Sequence, residues 1–153
     1  KTAYEIPKRD WSSDVCSSDL DAIDRGDSPT ILGDGSEAFD FVAVEDCALA
    51  NVCAMRADTV DRFYNVGTGK RTSLKELAEL LVELTGCRRP IAYAPRSQAT
   101  LVRNRIGSAV RARQEIGFDA RIGLQDGLSR LIAWRAAHKA EVASRQQAVG
   151  LIS

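Results

Sequence analysis

Arginine is the residue type whose clustering in this sequence most directly suggests chemistry. Between Glu83 and Glu115 there is no acidic residue at all. Seven arginines fall in that interval: Arg88, Arg89, Arg96, Arg103, Arg105, Arg111 and Arg113. Because a guanidinium can form two parallel hydrogen bonds to phosphate oxygens, this stretch is a candidate anion site.

The segment "PRSQATLVRNRIG" is the part of this stretch best suited to a phosphate ligand. A loop there could place Arg96, Arg103 and Arg105 against a pyrophosphate. If residues 102–106 are extended, Arg103 and Arg105 share one face, because side chains alternate along a strand. The alternative, solvated charges paired with acids elsewhere, stays open for the group and is favoured for Arg88, Arg89, Arg111 and Arg113.

Two further segments suggest chemistry less strongly. "AFDFVAVED" brings Asp40, Glu45 and Asp46 close together, which would suit acid–base catalysis. Acids at a helix start more often complement the helix dipole, and that interpretation is favoured. "NVGTGKRT" resembles a phosphate-binding loop, but Tyr64 stands where the pattern needs a glycine, so Gly67 and Gly69 are predicted to be turn residues.

Other kinds of site find little support. The four cysteines form no CxxC pair and His138 is the only histidine, so we predict reduced thiols and no metal site. No Ser/His/Asp or Cys/His arrangement is present. Lys plus Arg and Asp plus Glu both total 21 in 153 residues, and the arginines are not interleaved with aromatic residues, which argues against nucleic acid. No run approaches the ~18 apolar residues of a membrane span, which predicts a cytoplasmic protein.

Strands and helices alternate along the chain. Strands are predicted at Thr30–Leu32, at Phe39–Val42, in "DRFYNVG" and in "PIAYAP". Helices are predicted in "VEDCALANVCAMRA", "TSLKELAELLVELTG", "SAVRARQEIGF" and the long final "LQDGLSRLIAWRAAHKAEVASRQQ". This alternation predicts an α/β protein with a small mixed sheet.

The helix after Thr72 carries the clearest signals. Ser73 and Glu76 have capping-box spacing, and Gly86 is the expected stop. Its buried stripe is predicted to be Leu74, Leu77, Ala78, Leu81 and Leu84. In the preceding helix the apolar positions with helical spacing are Val44, Cys47, Ala48, Val52 and Met55. In the last helix the inward residues are predicted to be Leu124, Leu128, Leu131 and Ile132.

Four segments together resemble the C-terminal part of NAD-dependent nucleotide-sugar epimerases and dehydratases. They are "ILGDGSEAFDFVAVEDCALANVCAMRA", "FYNVGTGKRTSLKELAELLVELTG", "RARQEIGF" and "LQDGLSRLIAWRAAHK". This family, the extended short-chain dehydrogenases that include UDP-glucose 4-epimerase, combines an NAD-binding Rossmann domain with a smaller α/β domain for the nucleotide sugar. The resemblance therefore implies NAD as cofactor, a nucleotide sugar such as a UDP-sugar as ligand, and a homodimer.

The resemblance also implies that this chain is a fragment of such an enzyme, with the Rossmann domain missing. The family's Gly-rich loop is absent, and the Tyr-x-x-x-Lys spacing occurs only at Tyr4 and Lys8, outside any matching context. We therefore predict no catalytic residue and no cofactor-binding residue here, and no activity for the fragment alone. A UDP-glucose 4-epimerase-like parent is the main hypothesis. The alternatives are a dehydratase, a non-catalytic NAD(P)-binding sensor or structural protein, or a small independent anion-binding module.

The phosphate-binding positions of the family are altered in this sequence. Phe39 stands where the resemblance implies an arginine. Counting back from "RARQEIGF" places Gln98 where a second arginine is expected, with Leu101 at an aspartate position. Arg96 would serve only if the loop shifts by two residues. Arg103 and Arg105 are therefore candidates on charge alone.

The first twenty residues, "KTAYEIPKRDWSSDVCSSDL", differ from all that follows. Codons that would spell Lys1–Ile6 and Trp11–Leu20 look like sequencing-adapter DNA, so residues 1–20 are interpreted as a non-native, disordered leader. The predicted organisation is then this leader, a C-terminal substrate domain fragment at 21–143, and a frayed tail at 144–153. The parent's apolar interdomain faces would be exposed in such a fragment, which predicts self-association.

Overall fold

A computed structural model describes residues 15–95 and 103–148 of the chain. The helices are α1 (Val15–Asp24), α2 (Val44–Arg56), α3 (Leu74–Thr85), α4 (Val110–Ile116), α5 (Leu124–Ala137) and α6 (Lys139–Ala148). The strands are β1 (Thr30–Leu32), β2 (Ala38–Phe39), β3 (Thr72–Ser73), β4 (Ala92–Ala94) and β5 (Asn104–Arg105). The prediction of a small mixed α/β fold is confirmed. None of the described helices is long and apolar enough to cross a bilayer.

Helix α3 is the centre of the larger apolar core. The Ser73 side chain accepts a hydrogen bond from the Glu76 backbone, Glu76 in turn accepts from the Ser73 backbone, and Gly86 ends the helix at φ 66°. The buried stripe of α3 packs against α1 and α5 through Leu20, Leu77, Leu81 and Leu128. Helix α3 therefore forms as the sequence predicts, because its caps and its apolar stripe are both local signals.

The strands form two small sheets. Strand β1 pairs in parallel with β4, with Ile31 opposite Tyr93. In the second sheet β2 is central, antiparallel to β3 and parallel to β5. Phe39 lies opposite Thr72 on one side and opposite Arg105 on the other. The second sheet is therefore where the arginine-rich stretch joins the fold.

Helix α2 packs in a way that its apolar spacing did not indicate. The fully buried residues of α2 are Asp46 and Ala50, and the helix packs with Ala112, Ile116 and Phe118 in a second core. Val44 and Met55 are 77% and 86% exposed. The face of α2 that carries Val44 and Met55 is therefore exposed, because Asp46 lies on the buried face of the helix.

Both predicted ends of the domain differ from the structure. Helix α1 begins at Val15, and Asp19 and Leu20 are buried, although residues 1–20 were expected to lie outside the fold. The apolar Leu20 and Ile23 find partners in the α1–α3–α5 core, which explains why this segment is helical. At the other end, α6 runs to Ala148, beyond the expected domain boundary at 143.

Two further elements differ from expectation. The predicted strand "DRFYNVG" forms no ladder, because no described strand lies beside it. The predicted long last helix divides into α5 and α6 at His138, whose imidazole stacks on the Trp134 ring at 4.7 Å between centroids. Within α5, Leu128 is buried and Leu131 is 37% exposed, so only part of the predicted inward set points inward.

Candidate functional site

One face of the second sheet carries Phe39, Thr72 and Arg105. Their strand register places these three residues side by side, and residues opposite each other on paired strands point to the same face. Phe39 and Thr72 are half-buried, whereas Arg105 is exposed. Among the described residues, Arg105 has no ion-pair partner. An exposed arginine thus lies opposite an aromatic residue on the paired strand, which is an arrangement open to a ligand.

Arg103 lies just before β5 and is fixed there through its backbone. Its carbonyl accepts a hydrogen bond from the Ala38 N–H at 2.9 Å, as the Arg105 carbonyl does from Asp40 at 3.0 Å. Hydrogen bonds from Ser36 lower the pKa of Asp34, and the positive charge of Arg103 adds a smaller effect. Arg103 and Arg105 are therefore both attached to β2. Arg96, the third predicted site residue, lies outside the described residues.

Most of the other arginines of this stretch have internal partners. Arg89 donates to the Gly26 carbonyl at 3.1 Å. Arg111 pairs with Glu115 at 2.8 Å and lies over the Tyr64 ring, and Arg113 pairs with Asp119. Arg88 is exposed. These contacts agree with the interpretation of Arg89, Arg111 and Arg113 as structural charges.

Asp40 anchors the glycine loop, which we define as residues 67–69. Its Oδ1 accepts hydrogen bonds from the Thr68 N–H at 2.9 Å and from the Thr68 hydroxyl at 2.6 Å, and its Oδ2 accepts from the Gly69 N–H at 2.8 Å. A Cβ added at Gly67 would lie closer than 3.0 Å to Asp40 Oδ2. Gly67 is therefore required for close approach, and Gly69, at φ 72°, for backbone conformation.

Asp46 anchors the turn that precedes α5. It is 2% exposed, and its two carboxylate oxygens accept hydrogen bonds from the Arg121 and Ile122 N–H groups at 2.9 to 3.1 Å. The neighbouring Glu45 is exposed and lies 3.8 Å from Arg130. Asp40 and Asp46 are thus loop anchors. The sequence placed them at a helix start but contained no local sign of partners 28 and 75 residues away.

Two cavities flank the loop that Asp40 holds. The larger, of about 380 Å³, is lined by Thr68, Gly69, residues 106–110 and Arg113. It begins at Ile106, the residue after Arg105, and neither Arg103 nor Arg105 is among its lining residues. The smaller, of about 120 Å³, lies between residues 68–72 and residues 120–124 over Phe41. Among the described residues, no group of three or more His, Cys, Asp or Glu side chains could hold a metal ion.

The glycine turn after strand β1 lacks the features of a dinucleotide-binding turn. Strand β1 is followed by a turn with Gly33 and Gly35, but this turn leads to β2 and not to the helix N-terminus that a dinucleotide pyrophosphate occupies. The Tyr64 hydroxyl donates to Glu115 at 2.9 Å, and Thr68 stands where a proton-relay lysine would be needed. Tyr4 and Lys8 lie outside the described residues.

Comparison with known proteins confirms the family resemblance. The sequence model of the NAD dependent epimerase/dehydratase family matches residues 5–67. A UDP-glucose 4-epimerase of Mycolicibacterium smegmatis is 30% identical over 73% of this chain and 36% of its own length. The matched residues include part of the segment interpreted as a leader.

Two solved structures give the same result. The UDP-glucose 4-epimerase of Thermotoga maritima, solved with UDP-glucose, is 29% identical with a TM-score of 0.75, over 80% of this chain and 39% of that one. The Bordetella bronchiseptica enzyme WbmF, solved with NAD+ and UDP, is 27% identical with a TM-score of 0.73, over 88% and 40%.

The fold and these matches define the class: the chain is related to the NAD-dependent epimerases and dehydratases, the extended short-chain dehydrogenases. It spans about 36 to 40% of the length of the relatives named above. Within that class it is similar to UDP-glucose 4-epimerases, and the matches do not favour the dehydratase alternative.

Proposed function

We propose that this chain supplies the sugar-nucleotide-binding part of an NAD-dependent nucleotide-sugar epimerase similar to UDP-glucose 4-epimerase. Arg103 and Arg105, with Arg96, hold the diphosphate of a UDP-sugar. Similarity to enzymes solved with UDP-glucose, or with NAD+ and UDP, supports this ligand class. NAD supplies the hydride chemistry in such enzymes, and in this proposal it is bound by residues other than those described. A homodimer and a cytoplasmic location remain predictions.

The observation that carries the proposal is the position of Arg105. Arg105 is exposed, lies opposite Phe39 on the paired strand, and has no ion-pair partner among the described residues. It directly precedes Ile106, which lines the 380 Å³ cavity. A guanidinium in this position can bind two phosphate oxygens at once. Phe39, where the family resemblance implied an arginine, offers an apolar surface beside it. The arginine function is thus proposed to lie on the neighbouring strand.

The chain's contribution is binding and orientation of the ligand. The cavity volume falls in the range of about 300 to 1,000 Å³ that is typical of ligand sites, so part of a nucleotide sugar fits there. One wall of this cavity is positioned by Asp40, which fixes Thr68 and Gly69. A rigid wall reduces the ordering that binding requires.

Calorimetric titration of the 153-residue chain with UDP-glucose tests this proposal. The R103Q/R105Q variant is expected to bind at least about tenfold more weakly, because two charge-assisted contacts are lost. The matched control is R88Q, which removes an exposed arginine of the same stretch and is expected to leave the affinity unchanged. Titration with uridine, which has no phosphate, is expected to give equal results for all three proteins. Equal UDP-glucose affinity of wild type and R103Q/R105Q would reject the proposed site.

A further inference from the structure

We propose that the smaller cavity, between residues 68–72 and 120–124, is a second anion site that binds a single phosphate group. We call it the Lys70–Arg121 cleft after the two cations that line it. It shares only Thr68 with the larger cavity, and neither Arg103 nor Arg105 lines it. The site is therefore distinct from the proposed nucleotide site and does not depend on it.

The two walls of the cleft carry one cation each. Lys70 follows the glycine loop, and Arg121 lies in the turn before α5. Both residues are exposed, and neither has an ion-pair partner among the described residues, in contrast to Arg113 of the larger cavity. No acidic side chain is among the lining residues. An anion between the two cations would neutralise both of them.

Both walls are fixed by carboxylates that come from one short segment. Asp40 accepts from Thr68 and Gly69 on one wall, and Asp46 accepts from Arg121 and Ile122 on the other. The Lys70 N–H donates to the Thr68 hydroxyl at 3.1 Å, which fixes the Lys70 backbone as well. The backbones of Lys70 and Arg121 are therefore held on the two walls, and neither side chain forms an ion pair with Asp40 or Asp46.

The volume of the cleft limits the size of the ligand that it can hold. Its volume of about 120 Å³ is well above the ~10–15 Å³ that one water needs. It is also well below the ~300 Å³ at which sites for larger organic ligands begin. Thr72 also lines the cleft, and a threonine hydroxyl can donate a hydrogen bond. A phosphate group matches this combination of a fork-shaped guanidinium, a point charge and a hydroxyl.

Nuclear magnetic resonance titration of the full chain with inorganic phosphate, at constant ionic strength set with chloride, tests the inference. Saturable shifts are expected at the amides of residues 68–72 and 120–124. The K70Q/R121Q variant is expected to bind phosphate at least about tenfold more weakly. The matched control is R56Q, which removes an exposed arginine at the end of α2, outside the cleft. A parallel titration with glycerol phosphate shows whether the ligand is free phosphate or a phosphate ester.

The outcomes separate this inference from the proposed function. Phosphate binding that is lost in K70Q/R121Q, and retained in R103Q/R105Q, supports the second site even if UDP-glucose does not bind at all. If neither phosphate nor glycerol phosphate gives saturable shifts in the cleft, the inference is rejected. The same holds if K70Q/R121Q weakens phosphate binding no more than R56Q does.

Discussion

Asp40 and Asp46 follow β2 in the chain, and Arg103 and Arg105 lie before and within the neighbouring strand β5, yet the fold uses their charges in opposite ways. Both carboxylates, Asp40 and Asp46, accept hydrogen bonds from backbone N–H groups of distant loops. Arg103 and Arg105 are attached to β2 through backbone hydrogen bonds, and both residues are exposed. A charged side chain is available to a ligand only where the fold provides no internal partner for it.

The largest expected effect is the loss of the Asp46 anchor. We expect D46A to lower the free energy of unfolding by about 3 kcal/mol, because two backbone donors lose their buried acceptor. The matched control is E45A, which removes the adjacent, exposed acid and is expected to change stability by less than about 0.5 kcal/mol. Urea denaturation measures both. Equal losses in the two variants would contradict the anchoring role.

A smaller loss is expected where Asp40 meets the glycine loop. G67A places a methyl group against the Asp40 carboxylate, which three hydrogen bonds hold in place, and is expected to cost about 2 kcal/mol. At Gly123, the N-cap of α5, a Cβ would meet no atom within 4 Å, so G123A is the control and is expected to cost no more than about 1 kcal/mol, the loss of a glycine cap. Thermal unfolding that does not distinguish the two variants would show that the loop is not tightly held.

Asp19 of α1 is a buried acid that accepts fewer hydrogen bonds than Asp40 or Asp46. Burial raises its pKa to about 6, and within the described part of the chain its Oδ2 atom, unlike Oδ1, has no hydrogen-bond partner. Because the folded pKa lies above the unfolded value of 3.8, this group makes stability fall as pH rises from about 4 to about 6. We expect D19N to be more stable than wild type by about 1 kcal/mol at pH 7 and equal to it near pH 4. Urea denaturation at both pH values measures this. A loss of stability at pH 7 would contradict the prediction.

The smallest effect on stability is expected at Arg105. R105Q removes an exposed side chain that has no ion-pair partner in residues 15–95 and 103–148, so its free energy of unfolding should stay within about 0.5 kcal/mol of wild type. This small change contrasts with the loss of unfolding free energy expected for D46A. Chemical denaturation of R105Q beside wild type measures it, and a loss approaching that of D46A would place Arg105 among the structural charges.

The sequence alone predicted the parts of the fold that local signals specify. Helix α3 was predicted with both of its ends, because Ser73, Glu76 and Gly86 act within a few residues of one another. Strands β1 and β4 were likewise predicted from short apolar runs bounded by turn residues. The chain's resemblance to the epimerase and dehydratase family also rested on several such segments in order.

The rest of the fold depends on contacts between distant residues. The outward orientation of Val44 and Met55 follows from the burial of Asp46, and that burial follows from a turn 75 residues further along. The failure of "DRFYNVG" to form a strand depends on which strands lie beside it. Of the predicted site, the attachment of Arg103 and Arg105 to β2 required knowing that β5 pairs with β2. The interpretation of residues 1–20 as translated adapter remains a prediction.

The central claim is that the exposed guanidinium groups before and within β5 bind the diphosphate of a nucleotide sugar. The crystal structure of the 153-residue chain with UDP-glucose tests it most directly. We predict phosphate oxygens within about 3 Å of guanidinium nitrogens of Arg103 or Arg105. A diphosphate bound elsewhere, with both guanidinium groups facing solvent, would contradict the claim.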